Sequence, residues 1–160
     1  MTAIGSAATF AFFAAFAALS AVLAVIDLRT HRLPDRLVLP AYPVGIVLLV
    51  IVAASSGAWG DLWRAIAGGA ILFLFYLALR ALQPAGMGGG DVKLAGVVGI
   101  VLGFVGWDAL LIGAFAGFLV GGLFSLIVLV ARRAGPGTAI PFGPWMLLGS
   151  WIAIALHPWA

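Results

Sequence analysis

Cysteine is absent from this chain, which excludes disulfides, thiolate zinc sites, iron–sulfur clusters and cysteine nucleophiles together. Charge is nearly as scarce. Only 8% of the 160 residues are charged and 65% are hydrophobic, where an ordinary soluble domain carries about 25% charged residues. Glutamate does not occur, and all five acidic residues are aspartates. With a mean hydropathy of +1.27, the chain is too apolar to fold in water as a globule. A soluble enzyme and a free nucleic-acid-binding module are therefore excluded. The high pI, near 10.2, does not reopen the second option, because the net charge is only +3. Internal repeats and low-complexity tails are also missing, so residues 1–160 read as a single transmembrane domain.

What the chain has in abundance is long apolar runs. A membrane helix needs about 20 mainly apolar residues to cross a hydrocarbon core about 30 Å thick. Ala3 to Ile26 carries no charge and forms the first expected span; Leu37 to Ala54 forms the second. The third runs from Leu62 to Leu82, with Arg64 and Arg80 near its ends, where long side chains can snorkel. Ala109 to Ala131 and Phe142 to Leu156 supply two more. Between them, residues 94–107 give only 14 uncharged positions. That is about 21 Å of helix, which suffices if the helix begins near Gly90. The expectation is an all-α, polytopic membrane bundle of six transmembrane helices. The first span reads as retained rather than as a signal peptide, because no basic segment precedes it.

Orientation follows from the loops. Arg29, Arg32, Arg36, Arg80, Lys93, Arg132 and Arg133 fall into three connections, and cytoplasmic connections collect positive charge. Placing those three inside leaves only Arg64 outside and puts both termini outside. Trp59, Trp63, Trp107 and Trp159 then lie at the outer interface, where indoles prefer to sit. Glycines four apart (Gly99 and Gly103; Gly113, Gly117 and Gly121) read as surfaces for close helix packing.

The aspartates divide in the same way. Asp61 and Asp108 read as solvated residues of short outer loops. Asp27, Asp35 and Asp91 belong to the cytoplasmic side. Asp27 ends the first apolar run. Asp91 follows Gly86-Met87-Gly88-Gly89-Gly90 and opens the fourth helix. No nucleotide loop is present, since the Gly-Lys-Ser/Thr ending is missing. A glycine-rich turn that holds a carboxylate at a helix N-terminus favours its ionised form, and a second carboxylate nearby forces one of the pair to keep a proton. That is the requirement for aspartyl proteolysis, in which one acid activates water while the other polarises the scissile carbonyl. Asp27 and Asp91 meet it if spans one and four pack side by side.

These residues resemble a known family. Asp27-Leu28-Arg29-Thr30-His31-Arg32-Leu33-Pro34-Asp35 is similar to the Asp-x5-(Ile/Leu)-Pro-Asp segment of type IV prepilin peptidases, the GxGD-type membrane aspartyl proteases of bacteria. Gly88-Gly89-Gly90-Asp91-Val92-Lys93 resembles their Gly-x-Gly-Asp-x-Lys signature. Ala139-Ile140-Pro141-Phe142-Gly143-Pro144 resembles the Ile-Pro-Phe-Gly-Pro that opens their last helix. The resemblance implies that Asp27 and Asp91 are the catalytic pair, shaped by Gly88, Gly90, Lys93, Pro34 and Asp35. It implies no metal and no cofactor, a location in the bacterial inner membrane, and a prepilin or pseudopilin substrate cleaved after a basic leader. Larger members add a four-cysteine zinc region and methylate the new N-terminus. This cysteine-free chain is expected to act without either, like the short peptidases of Flp/Tad pilus systems.

Some readings stay open. Asp35 either caps the second helix or contacts substrate. Lys93 either biases the potential at Asp91 or snorkels. His31 and His157 are not spaced as metal ligands. Pro34 and Pro141 set the path of the chain. A presenilin-type protease shares Gly-x-Gly-Asp but needs Tyr-Asp and Pro-Ala-Leu, whereas this chain has Ile26-Asp27 and no Pro-Ala-Leu. A non-enzymatic transporter or pilus-assembly subunit is the alternative of another class, though its ion-binding acids are expected near mid-membrane.

Overall fold

The structure is a computed structural model that describes residues 2–83, 87–130 and 142–158. It contains six helices among the described residues: α1 (Ala3–Thr30), α2 (Asp35–Ser56), α3 (Trp59–Leu82), α4 (Gly89–Val105), α5 (Trp107–Val130) and α6 (Gly143–Leu156). Each expected span coincides with one helix. The helices overrun the apolar stretches because polar end residues such as Asp35, Arg36, Ser55 and Ser56 continue the hydrogen-bond ladder into the interface. Large apolar side chains, among them Phe10, Leu111 and Phe115, face outward. That pattern suits lipid and would be an aggregation surface in water. The protein is a multi-pass helical membrane bundle.

Four helices, α1, α2, α3 and α5, are each long and apolar enough to cross a bilayer. With 17 residues, α4 reaches only about 25 Å. Its position explains how so short a helix is used. It is buried along nearly its whole length, from Val92 to Val105, and packs against α2, α3, α5 and α6. A helix that is apolar all round belongs in such a centre.

Glycine sets the closest approaches. A Cβ on Gly68 would stand 2.6 Å from the Gly99 carbonyl oxygen, and one on Gly103 would stand 2.6 Å from that of Arg64. The α3 and α4 backbones therefore touch directly, as small-residue interfaces in lipid allow. The α5 glycines Gly113 and Gly117 meet Gly149 of α6 in the same manner. Gly121 packs on Phe142 and Trp145.

The expected loop positions of Asp61 and Asp108 require correction. Both lie in the first turn of a helix, Asp61 in α3 and Asp108 in α5. Helices here begin at Trp59 and Trp107, so the following acids meet the positive helix end. Neither side chain stands alone. Asp61 pairs with Arg64 at 3.0 Å, and Asp108 meets His157 Nδ1 at 3.1 Å. Arg64 does more than snorkel: Nε and Nη2 donate to the Gly103 and Phe104 carbonyls, each at 2.7 Å, and so close the C-terminus of α4. Pro141, Arg132, Arg133 and Trp159 lie outside the described residues.

Candidate active site

Asp27 occupies the last turn of α1. The helix stops four residues later, at His31, whose left-handed backbone (φ 52°) lets its N–H donate to the Asp27 carbonyl at 2.8 Å. Such a cap ends a helix sharply, and the turn hands the chain to Pro34, the N-cap of α2. Asp27 is 3% exposed. The other buried polar side chains among the described residues, Ser20 and Ser150, are satisfied by carbonyls of their own helices. Asp27 is different: its Oδ2 accepts the Gly143 N–H at 3.2 Å, across 116 residues of sequence. Gly143 is the first residue of α6, so the carboxyl faces a helix N-terminus, where free N–H groups and the dipole attract negative charge. A Cβ on Gly143 would stand 2.7 Å from that oxygen, so only glycine admits this contact unstrained.

Asp91 stands in the first turn of α4, and its Oδ2 accepts the Gly88 N–H at 3.1 Å. A first-turn acid reaching back to the N-cap N–H is a known way to satisfy a helix start. Gly90 lies against the turn between α1 and α2, where a Cβ would meet the Leu33 Cβ at 2.7 Å. Glycine at this position brings the start of α4 onto the segment that follows Asp27.

The two aspartates consequently line one pocket of about 290 Å³, together with His31, Arg32, Leu33, Asp35, Gly88, Gly89 and Gly90. Each carboxyl leans on the N-terminus of a different helix. Of the residues expected at the site, Asp27, Asp91, Asp35, Gly88 and Gly90 are brought together here. Pro34 adjoins the pocket as the N-cap of α2, where its carbonyl accepts the Leu37 and Val38 N–H groups. Lys93 points elsewhere. Its Nζ lies 2.8 Å from both Asp35 carboxylate oxygens, joining the N-terminal ends of α2 and α4. A second link runs beside it, from the Tyr42 hydroxyl to the Lys93 carbonyl at 2.5 Å. Lys93 also lines an apolar groove of about 670 Å³ between α2, α3 and α4 that holds no carboxylate.

Three residues at the pocket escaped the sequence reading. Arg32 and His31 read only as a topology marker and an isolated histidine, yet both border the pocket. Gly143 stood inside the Ile-Pro-Phe-Gly-Pro resemblance, but the need for glycine there arises from a contact with a residue 116 positions away. Among the described residues, no three His, Asp or Glu side chains are grouped as metal ligands.

A polytopic helical membrane protein with two aspartates converging at one end of the bundle defines a small class of proteins. The profile of the type IV leader peptidase family matches residues 14–126, a stretch that contains Asp27, Asp35, Asp91 and Lys93. The chain belongs to that family. Its relatives include the prepilin leader peptidase/N-methyltransferases of Aeromonas salmonicida and Pseudomonas aeruginosa, at 36% and 34% identity over 81% of this chain. The Escherichia coli protein of the same name is 32% identical over 84% of it. The chain spans only 43%, 44% and 58% of those three proteins, respectively. No solved structure matches the chain significantly.

Proposed function

We propose that this protein is a prepilin leader peptidase: an aspartyl endopeptidase that removes the basic leader of type IV prepilins or pseudopilins, of the Flp/Tad class, at the cytoplasmic face of the bacterial inner membrane. The observation that carries the reading is the shared pocket of Asp27 and Asp91, each carboxyl accepting an N–H from a helix start. Membership of the family and the names of the relatives support it. In this reading all six helices cross the bilayer, with both termini outside, and the pocket opens among basic residues on the inner side.

The chemistry needs two carboxyl groups and one proton between them. The ionised carboxylate takes a proton from water, and the resulting hydroxide adds to the scissile carbonyl carbon. The protonated carboxyl gives its proton to the carbonyl oxygen. As the tetrahedral intermediate collapses, the C–N bond breaks, the leaving amine receives a proton from the acid that had acted as base, and one gem-diol hydroxyl returns its proton to the other carboxylate as the new carbonyl forms. The pair ends as it began, with one proton shared, and neither metal nor cofactor takes part. Asp35 and Lys93 act in this scheme by fixing α2 to α4, which holds the α1–α2 turn over Asp91. Gly88 and Gly90 allow the approach, and Pro34 directs the chain past it.

Co-expression with a prepilin from the same host, read as a gel shift on leader loss, tests the proposal. Wild type is expected to cleave, and Asp27→Asn and Asp91→Asn are expected to insert normally but leave the prepilin intact. Failure of well-inserted wild type against every host prepilin would move the protein to the non-enzymatic transporter or assembly reading.

A further inference from the structure

Tyr76, in α3, is among the most completely enclosed side chains of the bundle, at 1% exposure. Its hydroxyl is buried and finds no hydrogen-bond partner among the described residues. A phenol in a protein core normally has one, and in a membrane bundle neither water nor lipid tails offer a substitute. A phenylalanine would fill the same space without the orphaned group.

The helix register places Tyr76 at the level of the carboxylate pair. The antiparallel register of α3 and α4, set where Gly68 meets Gly99 and Gly69 meets Gly96, brings Tyr76 level with the first turn of α4. On its other side the ring stacks on Phe118 of α5, with centroids 5.4 Å apart, and contacts Phe142 at 5.9 Å. Phe142 is the N-cap of α6, one residue before the Gly143 N–H that holds Asp27. Tyr76 thus lies between the two helix starts that hold the two carboxyls, level with that of α4 and in contact with that of α6. Of the Asp91 carboxylate oxygens, Oδ2 is engaged by Gly88.

The geometry points to Tyr76 as a positioning residue for the peptidase reaction, its hydroxyl donating to the Asp91 carboxyl when substrate closes the site. The inference rests on the leader peptidase reading. A donor with no partner among the described residues is available for the reacting state. Gly88 and Tyr76 together then fix the plane of the carboxyl, with its remaining lone pairs toward the water and the peptide. The ring, gripped by Phe118 and Phe142, fixes the hydroxyl in turn.

Tyr76→Phe separates this role from a packing role, because it removes the hydroxyl and leaves the stacked ring. Purified wild type, Tyr76→Phe and Asp27→Asn are compared for thermal unfolding and for the kinetics of prepilin cleavage. The expected result is an unfolding temperature at or above that of wild type, an unchanged KM, and a kcat lower by about 10- to 100-fold. That loss corresponds to one hydrogen bond to a charged acceptor. A kcat equal to that of wild type, with Asp27→Asn inactive, overturns the role of Tyr76 and leaves the peptidase reading standing. Loss of stability in parallel with activity also overturns it, in favour of packing. Failure of wild type to cleave any host prepilin removes both.

Discussion

Gly99→Ala is the sharpest probe of how α4 is held. The added Cβ would stand 2.8 Å from both the Gly68 carbonyl carbon and the Gly69 Cα, and closer still to the Gly68 carbonyl oxygen. Carbon atoms in contact sit about 3.5 Å apart or more, so α3 and α4 must separate by roughly 0.7 Å. The obstructing atoms are backbone and cannot rotate away. Overpacking of this kind costs about 1–3 kcal/mol, and the upper end applies here. Alanine regains about 1 kcal/mol of helix propensity. The net loss is then about 1–2 kcal/mol, or a fall in Tm of about 2–8 °C for a chain of this size. Gly122→Ala is the matched control: it lies in α5 with nothing within 4 Å of its Cβ position among the described residues. It therefore keeps the propensity gain alone, and its Tm should rise by about 2–4 °C. Thermal unfolding of detergent-solubilised protein reads both. A Gly99→Ala protein as stable as Gly122→Ala would refute the direct contact of the α3 and α4 backbones.

Other outcomes follow from single contacts. Arg64→Ala removes two charge-assisted bonds to the last carbonyls of α4 and should cost about 2–3 kcal/mol, measured by denaturant unfolding in mixed micelles; Arg64→Lys should recover only part of it. Gly143→Ala drives a methyl group against Asp27 Oδ2, and prepilin cleavage should fall by about 10- to 100-fold although neither aspartate is altered. The Asp35–Lys93 pair is exposed on both sides, at 55% and 36%, so Lys93→Met should lower stability by less than about 1 kcal/mol. Cleavage lost in Lys93→Met through misplacement of α2 should survive in the charge-exchanged Asp35→Lys/Lys93→Asp double variant, scored by the same gel shift.

Much of this architecture is legible along the chain because lipid imposes a simple rule. Helix existence follows from apolar length, and each of the six expected stretches falls on a helix. The misread positions lie where that rule ends. Asp61 and Asp108 look like loop residues because polarity rises there, yet the helices start at the tryptophans before them. For α4, the short uncharged run looks marginal for a lone span, and only the structure shows it buried against four neighbours. The glycine pattern of α4 announces close packing, but its partner, Gly68-Gly69, has no four-residue spacing of its own to reveal it. At the site, Asp27 and Asp91 stand out because charge is so rare. Gly143 and Tyr76 do not, since one is a glycine among 22 and the other an aromatic within an apolar helix. Their significance comes from contacts between helices that no local pattern encodes.

The most direct test of the central claim uses purified protein in lipid vesicles with a host prepilin, and identifies the cleavage products by mass. Wild type should release the leader by hydrolysis of one peptide bond. Asp27→Asn and Asp91→Asn, near-isosteric but unable to share a proton, should each abolish that product. Asp61→Asn and Asp108→Asn, at the far end of the bundle, should retain it. Persistent cleavage by either Asp27→Asn or Asp91→Asn, in protein shown to be folded, would contradict the account.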